Sequence, residues 1–203
     1  MVSGGRDDDT IRLWSKETGQ LKKSFTISRM VLNVAFSADN RLVRAADRDG
    51  TVYAYDIETG RRVQTLVSKD QPRRADDYSA VAFAPNDKLI ARADTDEKIS
   101  ILDLETGKLV TTISEHQNSH VLTFSPNSQV LATMGYSGQR EQGTGSRYRS
   151  VRFWDVKTGK LLGQSDGNQP LSVMAFTPDG KELITDGSSK GLLIWNVSSL
   201  IPQ

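Results

Sequence analysis

Residues 150–159 read SVRFWDVKTG, and this string decides the fold because it does not occur only once. Its counterparts are TIRLWSKETG at 10–19, TVYAYDIETG at 51–60 and KISILDLETG at 98–107, with a degenerate fifth copy, GLLIWNVSSL, at 191–200. The anchor residues of the five copies are Trp14, Tyr55, Leu102, Trp154 and Trp195, at spacings of 41, 47, 52 and 41. A second string recurs between them: VLNVAFSADN (31–40), SAVAFAPND (79–87), HVLTFSPNS (120–128) and LSVMAFTPDG (171–180), anchored on Phe36, Phe83, Phe124 and Phe176. The unit is 41 residues, lengthened once by six and once by eleven. Self-similarity at such a period marks a repeat architecture.

Each unit divides into four short strands, a to d. Strand a carries the Phe; the turn after it is Ser-Ala-Asp-Asn, Ala-Pro-Asn-Asp, Ser-Pro-Asn-Ser or Thr-Pro-Asp-Gly. Pro presets the second turn position, and Asn, Asp or Gly tolerates the left-handed one. Strand b (RLVRAA, KLIARA, QVLATM, KELITD) alternates apolar and polar residues in its first half, and strand c is the Trp-containing string. Gly19, Gly60, Gly107 and Gly159 then supply the positive φ of a tight hairpin into strand d (QLKKSF, RRVQTL, KLVTTI, KLLGQS). No helical period competes, and the expectation is an all-β chain.

Four antiparallel strands per 40–45 residues, the third ending in a Trp-Asp-like pair, resembles a blade of the WD40-repeat β-propeller family. The residues that carry the resemblance are Trp154-Asp155, with Tyr55-Asp56, Leu102-Asp103, Trp14-Ser15 and Trp195-Asn196, and an Asp before strand c at Asp8, Asp49 and Asp96. It covers all 203 residues. The family's Gly-His before strand a is nearly absent, with only Glu115-His116 near that place, so its Asp–His–Ser–Trp hydrogen-bond network is not expected in most blades. The implied fold is a WD40-type propeller of about five blades, in units of 1–27, 28–74, 75–115, 116–167 and 168–203. Three are complete four-stranded blades. The first lacks strand a, the last lacks strand d, and eighteen strands result.

Such a ring is incomplete, or is completed by another chain: a second copy or a separate partner. A self-contained five-bladed ring and a C-terminal piece of a longer propeller are the other readings. The strand holding Leu192, Leu193, Ile194 and Trp195 is expected to form an apolar edge, the kind that templates pairing with another chain.

The blade directions sort the loops onto two faces. The a–b and c–d hairpins share one face; the b–c and d–a loops share the other, and both insertions fall there, at 69–77 and 137–149. Insertions clustered on one face of a repeat scaffold mark a binding face. Arg and Tyr are typical interface anchors, so the expected contacts are Arg73, Arg74, Arg140, Arg147, Tyr148 and Arg149.

Lys+Arg number 26 and Asp+Glu 25, and the net charge of +1 argues against a nucleic-acid binder. With no Cys there is neither a disulfide framework nor a thiolate metal site. No apolar stretch approaches the roughly 20 residues of a membrane span, and the opening MVSGGRDDDT lacks the apolar core of an export signal. A soluble, cytoplasmic chain without a membrane partner is expected. His116 and His120 stand four apart, but in a loop and a strand start, where packing is the expected role rather than metal binding. The carboxylates recur once per blade, which suits turns and not a single acid/base pair. Strand a, the channel-facing strand, holds no Asp or Glu in any copy, against a propeller enzyme acting in the channel. The expected function is a non-enzymatic, cofactor-free scaffold binding protein or peptide partners through the d–a/b–c face. The alternative is a piece of a larger regulatory or sensory WD40 protein whose effector domain lies elsewhere.

Overall fold

Strand order follows chain order throughout. The computed structural model describes residues 1–5, 8–27, 30–48, 50–66, 78–94, 98–114, 119–140, 147–165, 171–187 and 191–200, with the backbone alone for 78, 79, 94, 137–140, 147 and 148. The strands are β1 (Val2–Gly4), β2 (Thr10–Trp14), β3 (Leu21–Thr26), β4 (Val31–Phe36), β5 (Leu42–Asp47), β6 (Val52–Asp56), β7 (Arg62–Leu66), β8 (Tyr78–Phe83) and β9 (Leu89–Asp94). They continue as β10 (Lys98–Asp103), β11 (Leu109–Ser114), β12 (Ser119–Phe124), β13 (Val130–Arg140), β14 (Arg147–Asp155), β15 (Leu161–Gln164), β16 (Met174–Phe176), β17 (Glu182–Gly187) and β18 (Gly191–Asn196). They form five antiparallel meanders: β1-β2-β3, β4-β5-β6-β7, β8-β9-β10-β11, β12-β13-β14-β15 and β16-β17-β18. No helix occurs among the described residues. The five sheets are propeller blades. The inner strands β4, β8, β12 and β16 pack beside one another in sequence, and β1 lies against β4.

Local chemistry builds each blade. At the c–d hairpins the carboxylates of Asp56, Asp103 and Asp155 each accept from the backbone N–H (2.7 Å in every case) and the hydroxyl of Thr59, Thr106 and Thr158. The glycine that follows has φ of +75°, +72° and +69° and donates its N–H back to the Asp carbonyl. Ser15 and Asn196 take the Asp place in the first and fifth blades, accepting from Thr18 and Ser198. At the a–b turns the expected left-handed position is filled by Asn40, Asp87, Ser128 and Gly180, all at positive φ.

Strand b and strand c are coupled by a side-chain bond that the reading above did not expect. The indole N–H groups of Trp14, Trp154 and Trp195 donate to the hydroxyls of Ser3, Thr133 and Thr185 at 2.8, 3.0 and 3.0 Å. The ladder registers make these three hydroxyl residues one position of the repeat. Where the anchor is Tyr55 or Leu102 that position is Ala45 or Arg92, because no indole requires an acceptor there.

The core consists of the junctions between blades. Ile11, Leu13 and Phe25 pack on Val43, Tyr53 and Tyr55 across the first junction. Val52 meets Val81, Ile90 and Leu102 across the second, and Ile99 and Ile101 meet Leu122, Phe124 and Trp154 across the third. Val151 and Phe153 meet Leu171, Met174 and Leu183 across the fourth. Each fully buried aliphatic or aromatic side chain contributes about 2 kcal/mol. Blades therefore stabilise each other more than themselves. A carboxylate and an arginine add a polar lace: Asp87 of the third blade accepts from Ala38 N–H (2.7 Å) and pairs with Arg44, both in the second. Ser128 of the fourth blade accepts from Asn86 N–H of the third at 3.1 Å. The arc stays open at its flanks, and β18 is the outermost strand of its sheet.

Candidate functional site

The eleven-residue insertion, expected as a Gly/Ser loop over 137–149, extends the blade in its described residues: 137–140 belong to β13 and 147–149 to β14. The ladder between β13 and β14 runs past the blade edge through Gly135↔Ser150 and Tyr136↔Arg149, skips across a bulge, and resumes at Arg140↔Arg147. Pairing satisfies backbone N–H and C=O groups that a free loop would leave to water. Three residues, 137–139, oppose one residue of the partner strand, which bends the arm at its root.

Arg149 and Tyr136 form that root. The Arg149 guanidinium lies over the Tyr136 ring, 5.2 Å from its centroid, and its Nη1 donates to the carbonyl of Leu171 in the fifth blade. The His120 ring meets the same Tyr136 edge-on at 4.7 Å. On the far side Asp186 holds the next two residues, accepting from the N–H groups of Ser172 and Val173 at 2.6 and 3.0 Å. Burial pushes the Asp186 carboxyl up, but those donors outweigh it and hold the group below its usual range. The segment 171–173 is thus clamped by a cation from one blade and an anion from its own, and the arm is fixed to a buried point, since Leu171 is part of the core.

The six expected contact residues divide accordingly. Arg73 and Arg74, with the shorter insertion at 69–77, lie outside the described residues. Arg140, Arg147 and Tyr148 stand at the outer ends of β13 and β14, Arg140 opposite Arg147. Arg149 is placed at the arm's root with its guanidinium engaged inside the chain. Tyr136, Leu171 and Asp186 were missed; the signal was that Tyr136 and Arg149 flank the insertion in register. Of the two histidines, His116 is outside the described residues and His120 packs on Tyr136. Among the described residues no three His, Cys, Asp or Glu side chains are grouped to hold a metal ion. The recurrent carboxylates are engaged in turns: Asp8 accepts from Thr10 and pairs with Arg12, which hold its pKa down at about 2. Asp49 and Asp96 lie outside the described residues.

Five consecutive antiparallel meanders, packed through their inner strands and anchored on a repeated Trp, define a β-propeller protein of the WD-repeat class. A family model described as Outer membrane protein assembly factor BamB matches residues 2–199, and the chain belongs to this family of β-propeller repeats; its relatives are WD-repeat proteins. It is similar to Periodic tryptophan protein 2 of Arabidopsis thaliana, 26% identical over 199 residues that cover 97% of this chain and 21% of that protein. It is similar to Autophagy-related protein 16 of Arabidopsis thaliana, 25% identical over 192 residues, 92% of this chain and 34% of that protein. A 47-residue stretch is 45% identical to an uncharacterized WD repeat-containing protein of Schizosaccharomyces pombe, covering 23% of this chain and 12% of that one. The chain therefore spans no more than about a third of the length of these relatives. No described helix is long and apolar enough to cross a membrane.

Proposed function

We propose that the chain is a non-enzymatic scaffold that captures protein or peptide partners on its d–a/b–c face, with the β13–β14 arm as the principal contact. The observation that supports this most is the clamp of Arg149 on Tyr136 and Leu171. A tolerated insertion needs no anchor, whereas an arm that presents side chains to a partner gains affinity from being held in place before binding. Its proposed contacts are Arg140, Arg147 and Tyr148, at the outer ends of β13 and β14, together with Arg73 and Arg74 of the shorter insertion. Their residue types suit the reading: a guanidinium fork and an amphipathic ring concentrate binding energy in few side chains. The reading includes a cytoplasmic setting, checked by fractionating cells that express the tagged chain.

The test keeps Arg149 and replaces Arg147 and Tyr148 together by Ala. Partners recovered by the wild-type chain and identified by mass spectrometry should fall at least tenfold, while the far-ultraviolet circular dichroism stays unchanged. Equal recovery by both proteins would remove the arm from the interface. A second reading has its own support: the chain covers a fifth to a third of two relatives that it matches over more than nine-tenths of its own length, which fits a propeller segment of a larger regulatory protein. In that case further blades, a second copy or a separate chain would cover the flank of the fifth blade. Light scattering on the 203-residue chain separates a closed oligomer from a monomer.

A further inference from the structure

The opposite face, independent of the arm, carries a site with an internal template. By ladder register Lys23, Gln64, Thr111 and Gly163 occupy one position of strand d, each paired with the residue before the anchor of strand c: Leu13, Ala54, Ile101 and Phe153. At the first junction Lys23 crosses to the next blade, where its ammonium donates to the carbonyl of Ile57 at 2.8 Å and to that of Glu58. At the second, Gln64 Nε2 donates to the corresponding carbonyl of Leu104 at 3.3 Å. At the fourth, where the position is Gly163, Leu200 covers it at 3.3 Å from the site a Cβ would take. At the third junction the residue is Thr111, whose side chain ends two bonds from Cα. The corresponding carbonyls, of Val156 and Lys157, receive no side chain among the described residues.

What stands in place of a crossing side chain is a groove of about 520 Å³, lined by Leu89, Val110, Gln129, Asp155, Val156 and Lys157. Its size falls in the range of small-ligand sites, roughly 300–1,000 Å³. The floor is aliphatic, and Val110 is exposed although it points onto this wall. The rim carries the Asp155 carboxylate, kept ionised by the Thr158 hydroxyl, against whose donation burial works only partly.

We propose that this groove receives a lysine side chain from a partner segment, seated as Lys23 is seated at the first junction. The four-carbon stem lies over Leu89, Val110 and Val156. The ammonium donates to the carbonyls of Val156 and Lys157, with the Asp155 carboxylate beside it. The charge match selects the occupant: carbonyls and a carboxylate accept, and an aliphatic floor suits a long apolar stem with a cationic head. Lys157 supplies the opposing charge, so it should weaken binding rather than help it.

The test titrates the full chain, with its Leu and Val methyl groups labelled with carbon-13, with acetyl-Gly-Lys-Gly-amide and with the same peptide carrying norleucine or Nε-acetyl-lysine. Saturable shifts should appear at Leu89, Val110 and Val156 with the lysine peptide, and binding should fall at least tenfold with each substitute. Thr111→Lys, which puts the first blade's own solution into the groove, should abolish the shifts without altering the circular dichroism. Thr111→Gln copies the second blade and should do the same if the lysine variant folds poorly. Lys157→Gln should tighten binding severalfold. Absence of saturable shifts, equal binding of the norleucine peptide, or undiminished binding to either folded Thr111 variant would overturn the proposal.

Discussion

The indole of Trp154 and the hydroxyl of Thr133 are joined by a hydrogen bond of 3.0 Å between two adjacent strands, both residues buried. The pair ties the strand that faces the next blade to the strand beside it, and it recurs as Trp14–Ser3 and Trp195–Thr185. A donor inside a low-dielectric core that loses its acceptor costs more than the bond itself was worth.

Thr133→Val should therefore destabilise the chain by about 1–3 kcal/mol, while Thr133→Ser should retain most of the stability. Urea unfolding of the two variants decides the matter. A larger loss in Thr133→Ser than in Thr133→Val would mean that the methyl group, not the hydroxyl, is what the site needs.

Acid should loosen the c–d hairpins first. Hydrogen bonds from Thr59, Thr106 and Thr158 hold the carboxyls of Asp56, Asp103 and Asp155 below their usual range, and Arg12 with Thr10 brings Asp8 to about 2. A group whose folded pKa is depressed adds stability above its unfolded value, near 3.9, and loses it as pH falls through the folded one. The Tm should be flat above about pH 5 and drop as pH falls from about 4 towards 2. Asp103→Asn should lower the Tm at pH 7 and shallow that acid decline. An unchanged slope would show that the turn carboxylates do not govern it.

Two glycines with the same backbone test the surroundings of the hairpin. Gly19 and Gly159 have φ of +68° and +69°, but a Cβ on Gly19 meets nothing within 4 Å, whereas one on Gly159 meets the carbonyl of Thr112 at 3.0 Å. Gly19→Ala should cost only the left-handed penalty, about 1 kcal/mol. Gly159→Ala should cost more, about 2 kcal/mol, since backbone must shift as well. Thermal unfolding gives the order, and the reverse order would refute the account.

The open flank of the fifth blade offers a paired comparison. Leu192 and Ile194 occupy the strand-c positions of Val151 and Phe153, yet are 69% and 63% exposed against 1% and 6%. Val151→Asp should collapse the fourth junction, at a cost of about 4 kcal/mol or more. Leu192→Asp should leave the folded chain as stable as before and lower any self-association, read by light scattering with circular dichroism on the same sample. Unfolding of Leu192→Asp would show that the flank is already covered.

Much of the architecture was legible from the chain alone, and the reason is that it is local. Pro, Asn, Asp and Gly at fixed offsets set the turns, period-2 alternation sets the strands, and repetition at 41 residues tells which segments do the same thing. The apolar row at Leu192 and Ile194 was legible for the same reason. The Trp–Thr bond was equally within reach, since it needs only the register of neighbouring strands, but a Ser or Thr inside a strand carries no visible mark of its partner.

Tertiary structure alone decided what depends on reach between blades. Whether residues 137–149 form a loop or an arm turns on Tyr136 facing Arg149 and on a carbonyl 22 residues downstream, at Leu171, standing where the guanidinium ends. Whether a strand-d side chain reaches the carbonyls of the next blade turns on its length: Lys23 and Gln64 donate to them, and the short Thr111 side chain has no amine or amide to offer. Sequence specifies the repeat because turns and pleats are determined within a few residues. The sites arise where that regular frame meets one side chain too short, or one insertion too long, for its place.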